Sequence, residues 1–222
     1  MTSYNDAITN PMDTLRKKRS DRYNSQPNTP PLDEDSYPAV ETATCNQAGL
    51  PDLPVNNSDA IIVGSVTAEH AYLSSDRTAI YTEFKVPVEQ SLKAPKDFPL
   101  QTGSSIDVER QGGAIQFPSE VIISRGMANQ SLPQAGKRYL LFLQYRADGK
   151  DFFLIRGYRL EGAQVAALDK VNPGPGSTEC AEDKDALPPL PPPLPDPRTE
   201  FVYGTSETQL LAKVKALITS GP

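Results

Sequence analysis

One histidine and two cysteines leave few ways to build a reactive site in this 222-residue chain. Nucleophilic catalysis of the Ser-His-Asp or Cys-His kind needs an imidazole to take the proton. His70, in Thr67-Ala68-Glu69-His70-Ala71-Tyr72, is the single candidate, and neither Cys45 nor Cys180 lies near it in sequence. It follows a β-branched run and reads as a surface residue just past a strand. A zinc site asks for about four nitrogen or sulfur ligands, often in closely spaced pairs, which two separated cysteines and one histidine do not supply. No catalytic residue, metal or cofactor is expected.

Carboxylates offer a second chemistry. Acid–base hydrolysis needs two of them about 5–10 Å apart in a cleft. Asp107 and Glu109 are two residues apart, as on one face of a strand, and Glu83 and Glu89 share the polar face of another. Half-buried strands turn such residues to solvent, so a hydrolase using barrel-end carboxylates ranks third among the functional readings. Gln111-Gly112-Gly113 lacks the Gly-Lys-Ser/Thr and the following helix of a phosphate cradle. Tyr81 sits on the polar face opposite Phe84 and could stack a base or a sugar, but Tyr on a solvent face is also an ordinary β-former, and that reading is preferred.

Two features lie in the flanks. Cys45 and Cys180, the only cysteines, form one disulfide in an oxidising compartment or stay as two thiols in a reducing one; Glu179 and Glu182 beside Cys180 disfavour a reactive thiolate. Pro188-Pro189-Leu190-Pro191 recurs as Pro192-Pro193-Leu194-Pro195, a tetrapeptide that resembles a WW-domain ligand. Pro-x-x-Pro-x-Arg recognition fails by one position, because Arg198 comes too late. A stiff spacer is the simpler role for this strap.

The elements that must position these residues follow from where proline, aromatics and charge fall. Of 22 prolines, seven lie in Met1–Asn57 and nine between Pro173 and Pro197, whereas eleven of the sixteen Phe and Tyr residues lie in Ser58–Lys170. Aromatic burial offsets chain entropy, so that middle segment is the expected domain. The expected organisation is a mostly disordered segment at 1–57, a β-barrel domain at 58–170, a Pro-rich linker at 171–203 and a C-terminal helix at 204–222. The middle is balanced at 13 basic against 13 acidic residues, and the net −6 resides in the flanks. A neutral domain lacks the basic face that nucleic acid requires, and no run reaches the length of a membrane-spanning helix. Arg16-Lys17-Lys18-Arg19, in a short helix predicted around Met12–Tyr23, reads as solvated charge.

Alternation predicts the strands. Ala60–Val66 is a β-branched run, and in the next run Ile80, Thr82, Phe84, Val86 and Val88 share a buried face while Tyr81, Glu83, Lys85 and Glu89 share a wet one. Pro87 places that strand at an edge or at a bend. Ser105–Glu109, a hairpin of Ala114–Phe117 with Val121–Ser124, and Arg138–Tyr145 with Phe152–Tyr158 across Asp148-Gly149 complete the set. Ile80, Phe84, Val86, Leu141, Leu143 and Ile155 are the expected inward side chains. Closely spaced strands without intervening amphipathic helices predict an all-β antiparallel barrel or sandwich. Near the end, Ser206 and Gln209 form a capping box, and Leu210, Leu211, Val214, Leu217 and Ile218 form an apolar stripe that should dock through Leu210, Val214 and Leu217.

The succession Asp59–Val66, Tyr81–Lys93, Gly103–Glu109 and Gly136–Leu143 resembles the OB-fold barrel of the netrin and tissue-inhibitor-of-metalloproteinase type, as found in small exported bacterial proteins. The likeness spans roughly Asp59 to Tyr158 and adds one hairpin, at Gly113–Ser124, to a minimal five-stranded barrel. It implies a small OB-like barrel acting as a non-enzymatic binding or scaffolding module for a protein or cell-surface ligand, in an extracytoplasmic setting, although Met1–Ser25 holds no apolar signal stretch. Those inhibitors act through an N-terminal cysteine, and no cysteine lies between Cys45 and Cys180, so no functional residue carries over. The alternative is an intracellular adaptor presenting the Pro-rich strap to WW-type domains.

Overall fold

The computed structural model describes residues 2–3, 14–25, 29–35, 50–127, 130–161, 164–169 and 205–220. In chain order these form β1 (Thr2–Ser3), α1 (Thr14–Asp21), β2 (Ala60–Ser65), β3 (Ala68–Leu73), β4 (Ile80–Lys93) and β5 (Ser105–Gln111). There follow β6 (Gly113–Gln116), β7 (Ile122–Arg125), β8 (Arg138–Arg146), β9 (Asp151–Glu161), β10 (Gln164–Ala167) and α2 (Glu207–Ser220).

Five strands close on themselves in the order β9-β5-β4-β2-β8, with β8 pairing back to β9. All neighbours are antiparallel except β5 and β9, which run parallel through Val108↔Phe152 and Glu109↔Phe153. This closed barrel is compatible with an OB-like fold. The extra hairpin is present as β6–β7, which joins β1 in a separate three-stranded sheet.

The alternation read from the sequence fills the barrel. Phe84, Val86, Val108, Leu141, Leu143, Phe152 and Leu154 form one buried cluster. Ile80 is buried against Ile115 and Ile123 under the hairpin. Ile155 departs from expectation: it is buried, but Phe152 and Leu154 of the opposite phase fill the barrel, and a bulge between Phe142 and Leu143 of the partner strand leaves Ile155 out of register.

Pro87 sits where β4 changes partners. β4 pairs with β3 as far as Lys85 and with β2 from Val88 onward, so the missing N–H falls in the gap between two ladders. β2 approaches that bend closely, and a Cβ on Gly64 would meet the Pro87 carbonyl oxygen at 2.5 Å.

The barrel is dressed on two sides. α2 begins with the expected reciprocal cap: the Gln209 N–H donates to Ser206 Oγ at 3.3 Å and the Ser206 N–H to Gln209 Oε1 at 3.1 Å. Its Leu210 and Val214 are fully buried with Ile61, Val63, Leu140, Phe142 and Tyr158 on the outer wall of β2, β8 and β9. Leu217 departs from expectation at 38% exposure, and Leu211 and Ile218 pack in its place. At 3.6 residues per turn the stripe Leu210-Val214-Ile218 leans toward Leu211, which leaves Leu217 on the far flank. Among the described residues no helix is long and apolar enough to cross a membrane.

Candidate functional site

α1 covers the opposite wall, and the outward residues of four strands meet beneath it. The β3–β4 register sets His70 opposite Glu83 and Tyr72 opposite Tyr81; the β4–β5 register sets Glu83 opposite Glu109 and Lys85 opposite Asp107. Residues directly opposite share a face, so four carboxylates converge once Asp151, at the start of β9, is added.

α1 is helical because Leu15, Arg16, Lys17, Lys18 and Arg19 are good helix formers and because Lys18 and Arg19 fall in its last turn, at the negative end of the dipole. Eight residues are too few to be stable alone, and only Arg19 and Ser20 of the helix are buried. Its anchors are arginines: Arg16, Arg19 and, in the following turn, Arg22 recur every third residue and so lie along one side. Arg19 donates to Glu83 Oε2 and Asp107 Oδ2, both at 3.2 Å, and to the Gly149 carbonyl at 3.0 Å. Arg22 Nη1 reaches Glu109 Oε1 at 2.5 Å and Asp151 Oδ2 at 3.0 Å. Its Nη2 reaches Asp151 Oδ1 at 2.9 Å and Asp148 Oδ1 at 2.7 Å. The Arg16 guanidinium lies 4.6 Å above the Tyr72 ring, and Tyr23 stacks on Tyr81 at 4.6 Å with the planes 8° apart.

Burial sets the electrostatics. Asp151 and Glu109 are 0% and 1% exposed. Burial first, and the neighbouring Asp151 second, push Glu109 up to about 8 against the pull of Arg22. Glu83 is raised as well, since burial outweighs Arg19 and Arg16. Partial burial lowers both guanidiniums, but the carboxylates more than offset it, so Arg19 and Arg22 are both raised. The Arg22 hydrogen bond holds the more open Asp148 below the ordinary range. On this face Glu83 Oε1 and Glu109 Oε2 are buried and receive no hydrogen bond among the described residues.

The wet face expected of Tyr81, Glu83 and Glu109 is therefore dry. Tyr81 is 0% exposed and is no open stacking platform; Glu83 and Glu109 are covered because α1 lies over them, while Lys85 does stay exposed. Asp107, Glu109 and Glu83 come together, but Glu89 does not: it is bound to Arg138 at 2.5 Å, and Arg138 also holds Glu207 of α2 at 2.6 Å. His70 is half-buried on β3, its ring 4.4 Å from that of Tyr72, at the margin of the same face. Gly113 has a steric reason to be glycine, since a Cβ there would meet Thr82 Oγ1 at 2.7 Å. Inside the barrel wall, Arg110 is fully buried and paired with Asp169 at 2.8 Å.

Arg19, Arg22 and Tyr23 are the site residues that reading the sequence missed. The three-residue spacing of Arg16, Arg19 and Arg22 carried the signal, which the sheer polarity of the segment concealed. Cys45, Cys180 and the motif Pro188-Pro189-Leu190-Pro191-Pro192-Pro193-Leu194-Pro195 lie outside the described residues. Chemically, the face pairs guanidinium groups with carboxylates, and Tyr81 stacks with Tyr23 beside them. Comparison of the chain with protein-family models and with curated proteins finds no match.

Proposed function

We propose that this protein is a non-enzymatic binding module that takes a protein partner through the carboxylate face of β4, β5 and β9. The observation that carries this reading is the seating of α1: a helix with little apolar anchorage is held on the barrel wall by Arg19 and Arg22 against Glu83, Asp107, Glu109 and Asp151. Charge-assisted, bidentate contacts of this kind are how proteins select arginine over lysine. A barrel of the netrin and tissue-inhibitor type, working in an extracytoplasmic setting, belongs to the same proposal. Mass spectrometry of Cys45 and Cys180 in the native compartment bears on it: two alkylatable thiols there would count against export.

The pairing of Glu109 with Asp151 also favours a second reading, an acid–base hydrolase with a protonated and an ionised carboxyl side by side. Binding is preferred because both groups lie buried beneath Arg22, where a substrate atom has no access while α1 is docked. Calorimetric titration decides. The full chain carrying R16A/R19A/R22A is expected to bind a synthetic peptide of residues 13–25 saturably, and E83Q/D151N in that background to abolish binding. No heat of binding from a folded R16A/R19A/R22A chain would refute the reading.

A further inference from the structure

The two helices that dress the barrel are held in different ways. α2 buries Leu210 and Val214, whereas the buried residues of α1 are Arg19 and Ser20. Apolar burial stabilises whatever the salt or partner. Ion pairs taken out of water gain back little more than their desolvation costs, and they are screened by salt where they reach the surface.

The fit of α1 is also incomplete. Among the described residues Glu83 Oε1 is buried and receives no hydrogen bond, although Arg16 and Arg19 of the helix lie beside that carboxylate. A buried acceptor left unmade is costly, so a ligand bringing a further donor to this oxygen gains over the resident helix. The segment is tethered on its far side by Leu32, which is buried with Ile80 and Ile115 and whose N–H donates to the Arg77 carbonyl in the β3–β4 turn at 2.7 Å. A displaced α1 therefore stays close and competes at an effective concentration of about millimolar.

We propose that α1 is an intramolecular pseudoligand, occupying the face until a basic helix of a partner protein, with arginines three residues apart and an added donor for Glu83, displaces it. The proposal rests on the binding reading above and adds that the resting chain is self-blocked. The probe is a fluorescent peptide of residues 13–25, titrated into the wild-type full chain and into R19A/R22A. R19A/R22A is expected to bind it at least about tenfold more tightly, because the cis competitor at its effective concentration is disarmed. In the wild type, saturating peptide is expected to speed amide exchange across Thr14–Asp21 while leaving Glu207–Ser220 unchanged. That exchange measurement stands whether or not R19A/R22A folds. Equal affinity for both chains, or α1 exchange unmoved by bound peptide, overturns the pseudoligand and leaves the binding face intact. Peptide binding to neither chain overturns the binding reading itself.

Discussion

Glu109→Gln should make the protein less sensitive to alkaline pH without disturbing its shape. In the folded chain Glu109 keeps its proton up to about 8, against an ordinary 4.5, because burial and the adjacent Asp151 disfavour the carboxylate. Between those two values the folded state binds more protons than the unfolded one, so stability falls as pH rises through the window. Each unit of displacement is worth about 1.4 kcal/mol, and the separation of the two values, in which the pull of Arg22 is already included, sets a ceiling near 5 kcal/mol; the part that falls between about pH 5 and about pH 8 is about 2–4 kcal/mol. A glutamine amide reproduces the protonated acid: its oxygen can accept from Arg22 and its nitrogen can donate toward Asp151. Urea unfolding of both chains at about pH 5 and about pH 8 is the assay, and the difference between the chains isolates this one group. The wild type is expected to lose stability over that interval and E109Q to lose at least about 2 kcal/mol less. Parallel pH dependences in the two chains, or a wild type that gains stability toward pH 8, would refute the assignment of Glu109 as a buried, protonated acid.

Other substitutions test the remaining links. Arg22→Ala leaves Glu109 and Asp151 buried without their shared guanidinium and is expected to cost about 3–5 kcal/mol, or, where the helix simply leaves, to abolish amide protection across Thr14–Asp21; unchanged melting with unchanged protection would contradict the geometry. Leu210→Ala is expected to cost about 2–5 kcal/mol by thermal unfolding and Leu217→Ala under about 1 kcal/mol, since only the first is buried. Gly64→Ala drives a methyl group into the Pro87 carbonyl and should cost about 1–3 kcal/mol or more; a neutral effect would mean that the β4 bend yields readily.

How much of this was legible in the sequence depends on which interaction carried each element. Period-two alternation named Phe84, Val86, Leu141 and Leu143 as interior, and the structure buries all four, because a strand with one apolar face has a single way to bury it. The Ser206–Gln209 box and the Leu210-Val214 stripe placed α2 for the same reason: cap and apolar face are local signals that point one way. β3 was missed, since Ala68-Glu69-His70-Ala71-Tyr72-Leu73 is half polar and owes its strand to ladder bonds with β4, which a neighbour supplies and no local pattern announces.

The carboxylate face failed to appear for a deeper reason. Alternation reports that Tyr81, Glu83 and Glu109 are opposite the core, and the inference from there to solvent assumes that nothing covers the outer wall. What covers it is a segment whose composition suggested disorder, and whose docking free energy comes from arginines matched to carboxylates across separations such as Arg22 to Asp151. Hydrophobic patterning is blind to that kind of complementarity, because a polar helix paired with a polar strand looks the same as two solvated surfaces. Charge spacing is the readable trace. Arginines at every third position of a short helical run, together with acidic residues at alternate positions of strands that lie side by side, specify matching rows of opposite sign. Their meeting desolvates both, and it shifts Glu109 far enough for a proton to be bound near neutral pH. The same cancellation of desolvation against attraction that makes α1 releasable makes its contact hard to foresee, since neither row alone carries an excess of energy that demands a partner.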